Sequence, residues 1–279
     1  GDLQPPSPLV SPPLLSPLFF SFSPPSPPLS SLPSSPLSFF PGLLSALVAL
    51  AVVPPAPGAV VVFPDAELAG RAGAGMGLTD TSGLVWETST ATVTSAEVLQ
   101  SGETVPKLRD VLESIPADVG VNIELKNPGS TALRFDEKLT GDELETQQEI
   151  WRPFVTHVVN IVEEYDHEVL FSSFYEAALA VASEQSVASV APLMWESVDD
   201  GFEIAEAYDA EAVHPPVAMV RGTPFFDDSR FGDTDLVQRA QNHGRAVTVW
   251  TVTSCYQADR LVKAGVDGLI ADYSTVLPE

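Results

Sequence analysis

The constraint that acts first on this chain is a change in its chemistry near residue 64. Residues 1–64 carry a single charged side chain, Asp2, whereas residues 65–279 carry 37 acidic and 13 basic ones. Of the 37 residues from Pro5 to Pro41, 36 are Pro, Ser, Leu or Phe, with Val10 the exception. Closely spaced prolines fix φ and remove backbone donors, which favours extended chain over helix or sheet ladder. All four amino acids have codons with pyrimidines at the first two positions, as an out-of-frame or non-coding pyrimidine tract would when read through. The competing reading is a Pro-rich linker or interaction segment. Both predict that residues 1–57 stand outside the folded domain, disordered or mistranslated, and that residues 58–279 form it.

The net charge of −25 excludes a nucleic-acid surface, which needs basic groups against phosphate, and disfavours anionic membranes. Many carboxylates with few lysines suit a salt-rich cytoplasm, where screening weakens self-repulsion. A halophilic source and a cytoplasmic location are expected. The one cysteine, Cys255, excludes an internal disulfide or a cysteine metal cluster. It falls in a helical pattern, where a buried, inert thiol is expected. No apolar run reaches the ~18 residues of a membrane span. Gly42–Val53, GLLSALVALAVV, is similar to a signal-peptide core, but no Lys or Arg precedes it, so export is the lesser expectation.

From Asp65 onward, short apolar runs alternate with amphipathic stretches. The runs 120–126 (GVNIELK), 168–174 (EVLFSSF), 187–194, 212–217, 246–252 (AVTVWTV) and 266–271 (VDGLIA) read as buried parallel strands. Between them, 141–165 shows helical spacing through Trp151, Phe154, Val155, Val158, Val159 and Val162, opened by a Thr140-x-x-Glu143 capping box. Further helices are expected at 235–242, stopped by Gly244, and from a Ser254-x-x-Gln257 box to Gly265. Repeated strand–helix alternation predicts a parallel sheet covered by helices. Without a dinucleotide-binding glycine motif, a closed (β/α)8 TIM-type barrel is preferred, with functional residues at the C-terminal strand ends.

At those ends, Glu124 and Lys126 fall on one face of their strand. Opposite charges in an apolar strand are costly unless they pair or bind something. The carboxylate suits a hard cation and the lysine a phosphate oxygen; a structural ion pair is the plain alternative. Trp250 and Phe174 end their strands and fit either a substrate wall or core packing. The four histidines, His157, His167, His214 and His243, stand beside no clear strand-end carboxylate.

VNIELKNPG, VLFSSF, AVTVWTV and AGVDGLIAD, taken in order with the upstream VVVFPDAEL, LTDTSGLVWET and ETVPKLRDVLESIP, resemble the glycerophosphodiester phosphodiesterase family over about residues 58–279. The resemblance implies a (β/α) barrel, a divalent metal (Ca²⁺ or Mg²⁺), and hydrolysis of a small glycerophosphodiester to glycerol 3-phosphate and an alcohol. It assigns Glu124 to the metal, Lys126 to the substrate phosphate, and Trp250, Phe174 and Asp65 to the substrate pocket. A phospholipase C-type phosphodiesterase could use the same barrel.

The departures fall at the front. The family's His-Arg-Gly on the first strand and Glu-x-Asp metal pair on the second have no counterpart in residues 1–64, and Pro64 stands where its second histidine is expected. The barrel is therefore expected to lack its first two strands and both proton carriers. Each general acid or base is worth roughly 10²–10⁴ in rate. Losing two removes up to about 11 kcal/mol if they acted independently. The expectations are an impaired enzyme or, alternatively, a non-catalytic binder of polyol phosphates.

Overall fold

The computed structural model describes residues 19–22, 47–56, 58–70, 78–232 and 234–276. Its strands, in chain order, are β1 (Phe19–Phe22), β2 (Leu47–Val53), β3 (Val61–Val62), β4 (Gly120–Leu125), β5 (Val169–Ser173), β6 (Ser189–Pro192), β7 (Ala212–Val213), β8 (Ala246–Val252) and β9 (Gly268–Ala271). The helices are α1 (Thr90–Val93), α2 (Leu108–Ser114), α3 (Gly141–Val162), α4 (Glu176–Gln185), α5 (Val198–Ala207), α6 (Asp228–Phe231), α7 (Leu236–Asn242) and α8 (Cys255–Lys263). Their caps follow the sequence signals. Glu143 Oε2 accepts from the Thr140 backbone N–H at 3.3 Å and its hydroxyl at 2.7 Å. Asp235 and Ser254 side chains accept from the Gln238 and Gln257 N–H groups, satisfying first-turn donors that the helix leaves open.

The strands lie in the order β6-β5-β4-β2-β1-β9-β8-β7, with β3 paired to β2. The two ends of that order meet. Leu193 and His214 bridge in parallel, His214 N–H donates to Pro192 O at 2.9 Å, and Met194 N–H donates to His214 O at 3.0 Å. Eight strands thus close into a ring, which removes the free edges of an open sheet.

The sheet is not short of two strands, and this corrects the expectation from sequence. Leu47–Val53 pairs in parallel with β4 over six residues, Leu47↔Gly120 through Val52↔Leu125. β1 fills the remaining gap, antiparallel to both β2 and β9. The reason lies in the apolar run itself. LVALAVV alternates residues that fill both faces of a buried strand, and Leu50 and Val52 are fully buried in the main core. The segment placed outside the domain therefore supplies one of the eight strands of the ring. The calls on residues 1–18 and 23–46 lie outside the described residues.

Alternation along the strands separates two interiors. Val121, Ile123 and Leu125 of β4, Val213 of β7, Val247 and Val249 of β8, and Leu269 and Ala271 of β9 join the large core shared with Trp151, Phe154, Val155 and Val158 of α3. Their strand neighbours face the inside of the ring: Ala49, Phe174, Leu193, Trp250 and Ile270 form a separate inner cluster. Cys255 differs from expectation: it opens α8 and is exposed, with its thiol 3.6 Å from Thr275 O. Among the described residues no helix is long and apolar enough to cross a membrane.

Candidate functional site at the strand ends

Because Val121, Ile123 and Leu125 point to the helices, Asn122, Glu124 and Lys126 point to the ring interior and its mouth. Lys126 Nζ lies 2.7 Å from Glu124 Oε1, with the carboxylate 7% and the lysine side chain 18% exposed. The contact lacks hydrogen-bond angles, so Glu124 Oε1 has no hydrogen-bond partner. On the strand to one side, Glu124 is paired with Ser172; on the other, with Ala51. Asn122 Oδ1, Ser172 Oγ and both ring nitrogens of His214 are likewise buried without partners. A dry orphan of this kind costs about 1–3 kcal/mol, so this lining is chemically matched to water or ligand hydroxyls. Burial alone pushes the His214 imidazole down to about 4, and it is neutral at physiological pH.

The other residues singled out from sequence are placed as follows. Trp250 and Phe174 are both buried and meet edge-to-face at 5.4 Å. Trp250 Nε1–H donates to His214 O at 2.7 Å, so its polar edge is committed to the backbone. Pro64 is buried and follows Phe63, whose N–H donates to Ala51 O at 2.8 Å; it has neither an N–H nor a titratable group. Asp65 accepts from the Ala66 N–H at 2.6 Å, which commits one of its oxygens to the local turn. Glu124, Lys126, Phe174 and Trp250 are thus gathered at the ring interior, while Asp65 serves a turn after β3.

Sequence reasoning missed several residues around the mouth. Phe135 stacks on Phe174 at 4.8 Å and Trp195 stacks on Trp250 at 5.7 Å; both lie in loops, where no periodicity marks them. Between them Asp136 accepts from the Glu196 N–H at 2.6 Å and the Ser197 N–H at 3.2 Å, and its own N–H donates to Phe174 O. Burial pushes its carboxyl up to about 6 against the opposing effect of those backbone donors, with Asp200 adding a small upward push. Asn122 and Ser172 were readable by period-two alternation from Glu124 and Phe174.

A divalent cation does not fit the residues present. Hard cations take six or more oxygens, and Glu124 offers one carboxylate already in contact with an ammonium group. The strand beside it presents Ala49 and Ala51 on the facing side. Among the described residues no three His, Cys, Asp or Glu side chains gather as a metal set, and residues 1–64 contain only Asp2 and no histidine.

A ring of strands wrapped by helices, with its charged pair at one end of the strands, defines a mixed α/β fold of the barrel type. Residues 58–276 match the glycerophosphoryl diester phosphodiesterase family, and the chain belongs to that family. Among solved structures it is similar to a phosphodiesterase of Oleispira antarctica in complex with the product sn-glycerol-3-phosphate. That match has 22% identity and a TM-score of 0.61, and covers 81% of this chain and 80% of the other. A Silicibacter pomeroyi protein of the glycerophosphoryl diester phosphodiesterase type matches with 22% identity, TM-score 0.59 and coverage of 81% and 80%. A glycerophosphodiester phosphodiesterase of Parabacteroides distasonis matches with 16% identity, TM-score 0.56 and coverage of 80% and 78%. At these identities the likeness is one of fold. No curated protein matches the chain.

Proposed function

We propose that this chain is a phosphodiesterase-family barrel that keeps a pocket for a glycerophosphodiester or its glycerol 3-phosphate end but has lost most of its power to hydrolyse it. The observation that carries the reading is the lone Glu124–Lys126 pair at the mouth, with no histidine and no second carboxylate on the neighbouring strand β2. Lys126 lies at the strand end and takes a phosphate oxygen as a point charge. The stacked Trp195–Trp250 pair walls the carbon skeleton, and the buried acceptors of Asn122, Glu124 and Ser172 receive hydroxyl protons.

The chemistry of the family needs a proton delivered to the leaving alkoxide, a nucleophile activated, and charge neutralised on phosphorus. Lys126 supplies part of the last, and neither of the family's two histidines has a counterpart for the first two among the described residues; the Asp136 carboxyl at the mouth has its Oδ2 held by the Glu196 and Ser197 N–H groups. Pro64 has no proton to give, and the buried His214 imidazole is neutral. No step is assigned to a metal, because the donor set does not suit one.

Calorimetry with glycerol 3-phosphate tests the pocket. Saturable binding that is lost in Lys126→Met supports it; no heat at millimolar ligand, or heat unchanged by Lys126→Met, removes it.

A further inference from the structure

A second cavity, of about 360 Å³, lies on the outside of the barrel between the start of α2 and the middle of α3. It is lined by Gly58, Thr90, Lys107, Arg109, His157 and Ile161, among others. None of the mouth residues contributes to it. Its volume falls within the range of small-molecule sites.

Its charge is unusual for this molecule. The chain has four lysines, Lys107, Lys126, Lys138 and Lys263. Among the described residues three of them hold carboxylates: Lys126 with Glu124, Lys138 with Glu176 and Lys263 with Asp259. Lys107 has no such partner, although carboxylates outnumber bases almost three to one in the sequence. The His157 side chain also makes no hydrogen bond among the described residues, whereas His167 and His243 side chains bond backbone carbonyls. Two side chains without a partner among the described residues therefore line one cavity. Arg109 completes the group. Two of its nitrogens form a bidentate pair with Glu164, which fixes the guanidinium and leaves its remaining donors free of that carboxylate. Beside the lysine, Gly58 has φ +91° and open space where a side chain would stand.

We propose that this outer cavity is an anion site for a phosphate-sized oxyanion, alone or as the phosphoryl group of a small metabolite. Lys107 supplies the charge, and Arg109 and His157 supply directed donors. Basic side chains lining one cavity suit a phosphate-sized anion. The surrounding acidic surface repels anions at long range, so binding is short-ranged and weakens little as salt screens that repulsion.

The test is titration of the full chain with sodium phosphate, and separately with glycerol 3-phosphate, at constant ionic strength against a chloride control. The readout is the His157 ring resonances by NMR. The expected result is a saturable shift with a dissociation constant of about 1–10 mM, weakened about tenfold in Lys107→Gln, as loss of one charge-assisted hydrogen bond implies. Lys107→Arg restores it, and the double variant Glu124→Gln/Lys126→Met, which leaves no stranded charge at the mouth, leaves it in place. A shift with phosphate alone assigns a free-anion site; a tighter response to glycerol 3-phosphate assigns a metabolite site. Among the described residues the Lys107 side chain holds no other group, so its variants should fold as the parent does, and His157→Gln with readout at the Arg109 guanidinium gives an independent check. No saturable shift at about 50 mM phosphate, or one abolished by Glu124→Gln/Lys126→Met and indifferent to Lys107→Gln, overturns the proposal.

Discussion

At the scale of single residues, the mouth is governed by two buried carboxylates in opposite situations. Glu124 is held beside Lys126, and removing one member of a buried pair strands the other. Lys126→Met is expected to cost about 3–5 kcal/mol in urea unfolding, with the double variant Glu124→Gln/Lys126→Met recovering most of it. An equal loss in both variants would mean that the pair is not coupled. Asp136 has no cationic partner among the described residues. Its folded value of about 6 lies above the ordinary carboxylate value of 3.8, so the folded state binds the extra proton between those limits. Its contribution is most favourable below about pH 4 and is lost as pH rises through 6. Asp136→Asn keeps an acceptor for the Glu196 and Ser197 N–H groups without the buried charge. It is expected to raise stability at pH 7.5 by about 1–3 kcal/mol and to flatten the slope between pH 4 and 6. An unchanged slope would assign that pH dependence to other groups.

At the scale of elements, the sequence placed β8 at 246–252 as found, opened α3 at Gly141 and extended it three residues too far, and ran 212–217 four residues past the end of β7. Those segments were legible because their apolar spacing and caps are local properties. Pro215 and Pro216 ended β7 early by removing two ladder donors. β2 was not legible because its character is set by partners distant in sequence. The run 47–53 is equally compatible with a signal core, a buried helix or a strand, and only pairing with β4 and β3 decides. Of the mouth, the strand-end pair and Trp250 could be read, while Phe135, Asp136 and Trp195 come from loops. The role of β2 carries its own prediction. Leu50→Ala, at a fully buried position, is expected to destabilise the chain by about 2–5 kcal/mol, and a fragment of residues 58–279 is expected to lose cooperative unfolding. A fragment as stable as the whole chain would return residues 47–53 to a linker.

At the scale of the molecule, 38 acidic against 13 basic residues set up self-repulsion that salt relieves. Raising KCl from about 0.1 M to 1 M shortens the screening length from about 10 Å to 3 Å and is expected to lift the thermal midpoint by roughly 5 °C or more. A flat response would remove the salt-adapted reading of the composition. The same molecule joins a closed ring of strands to a mouth without the family's two histidines and second-strand carboxylate pair, and the central claim is that the family fold persists here without the family's chemistry. Hydrolysis of a glycerophosphodiester by the purified full chain tests that claim most directly, measured with Ca²⁺ or Mg²⁺ and with chelator beside the Pro64→His variant. The account predicts no turnover above background for the parent chain, and none restored by Pro64→His alone, since Ala49 and Ala51 still face Glu124. Chelator-sensitive turnover by the unmodified chain would contradict it.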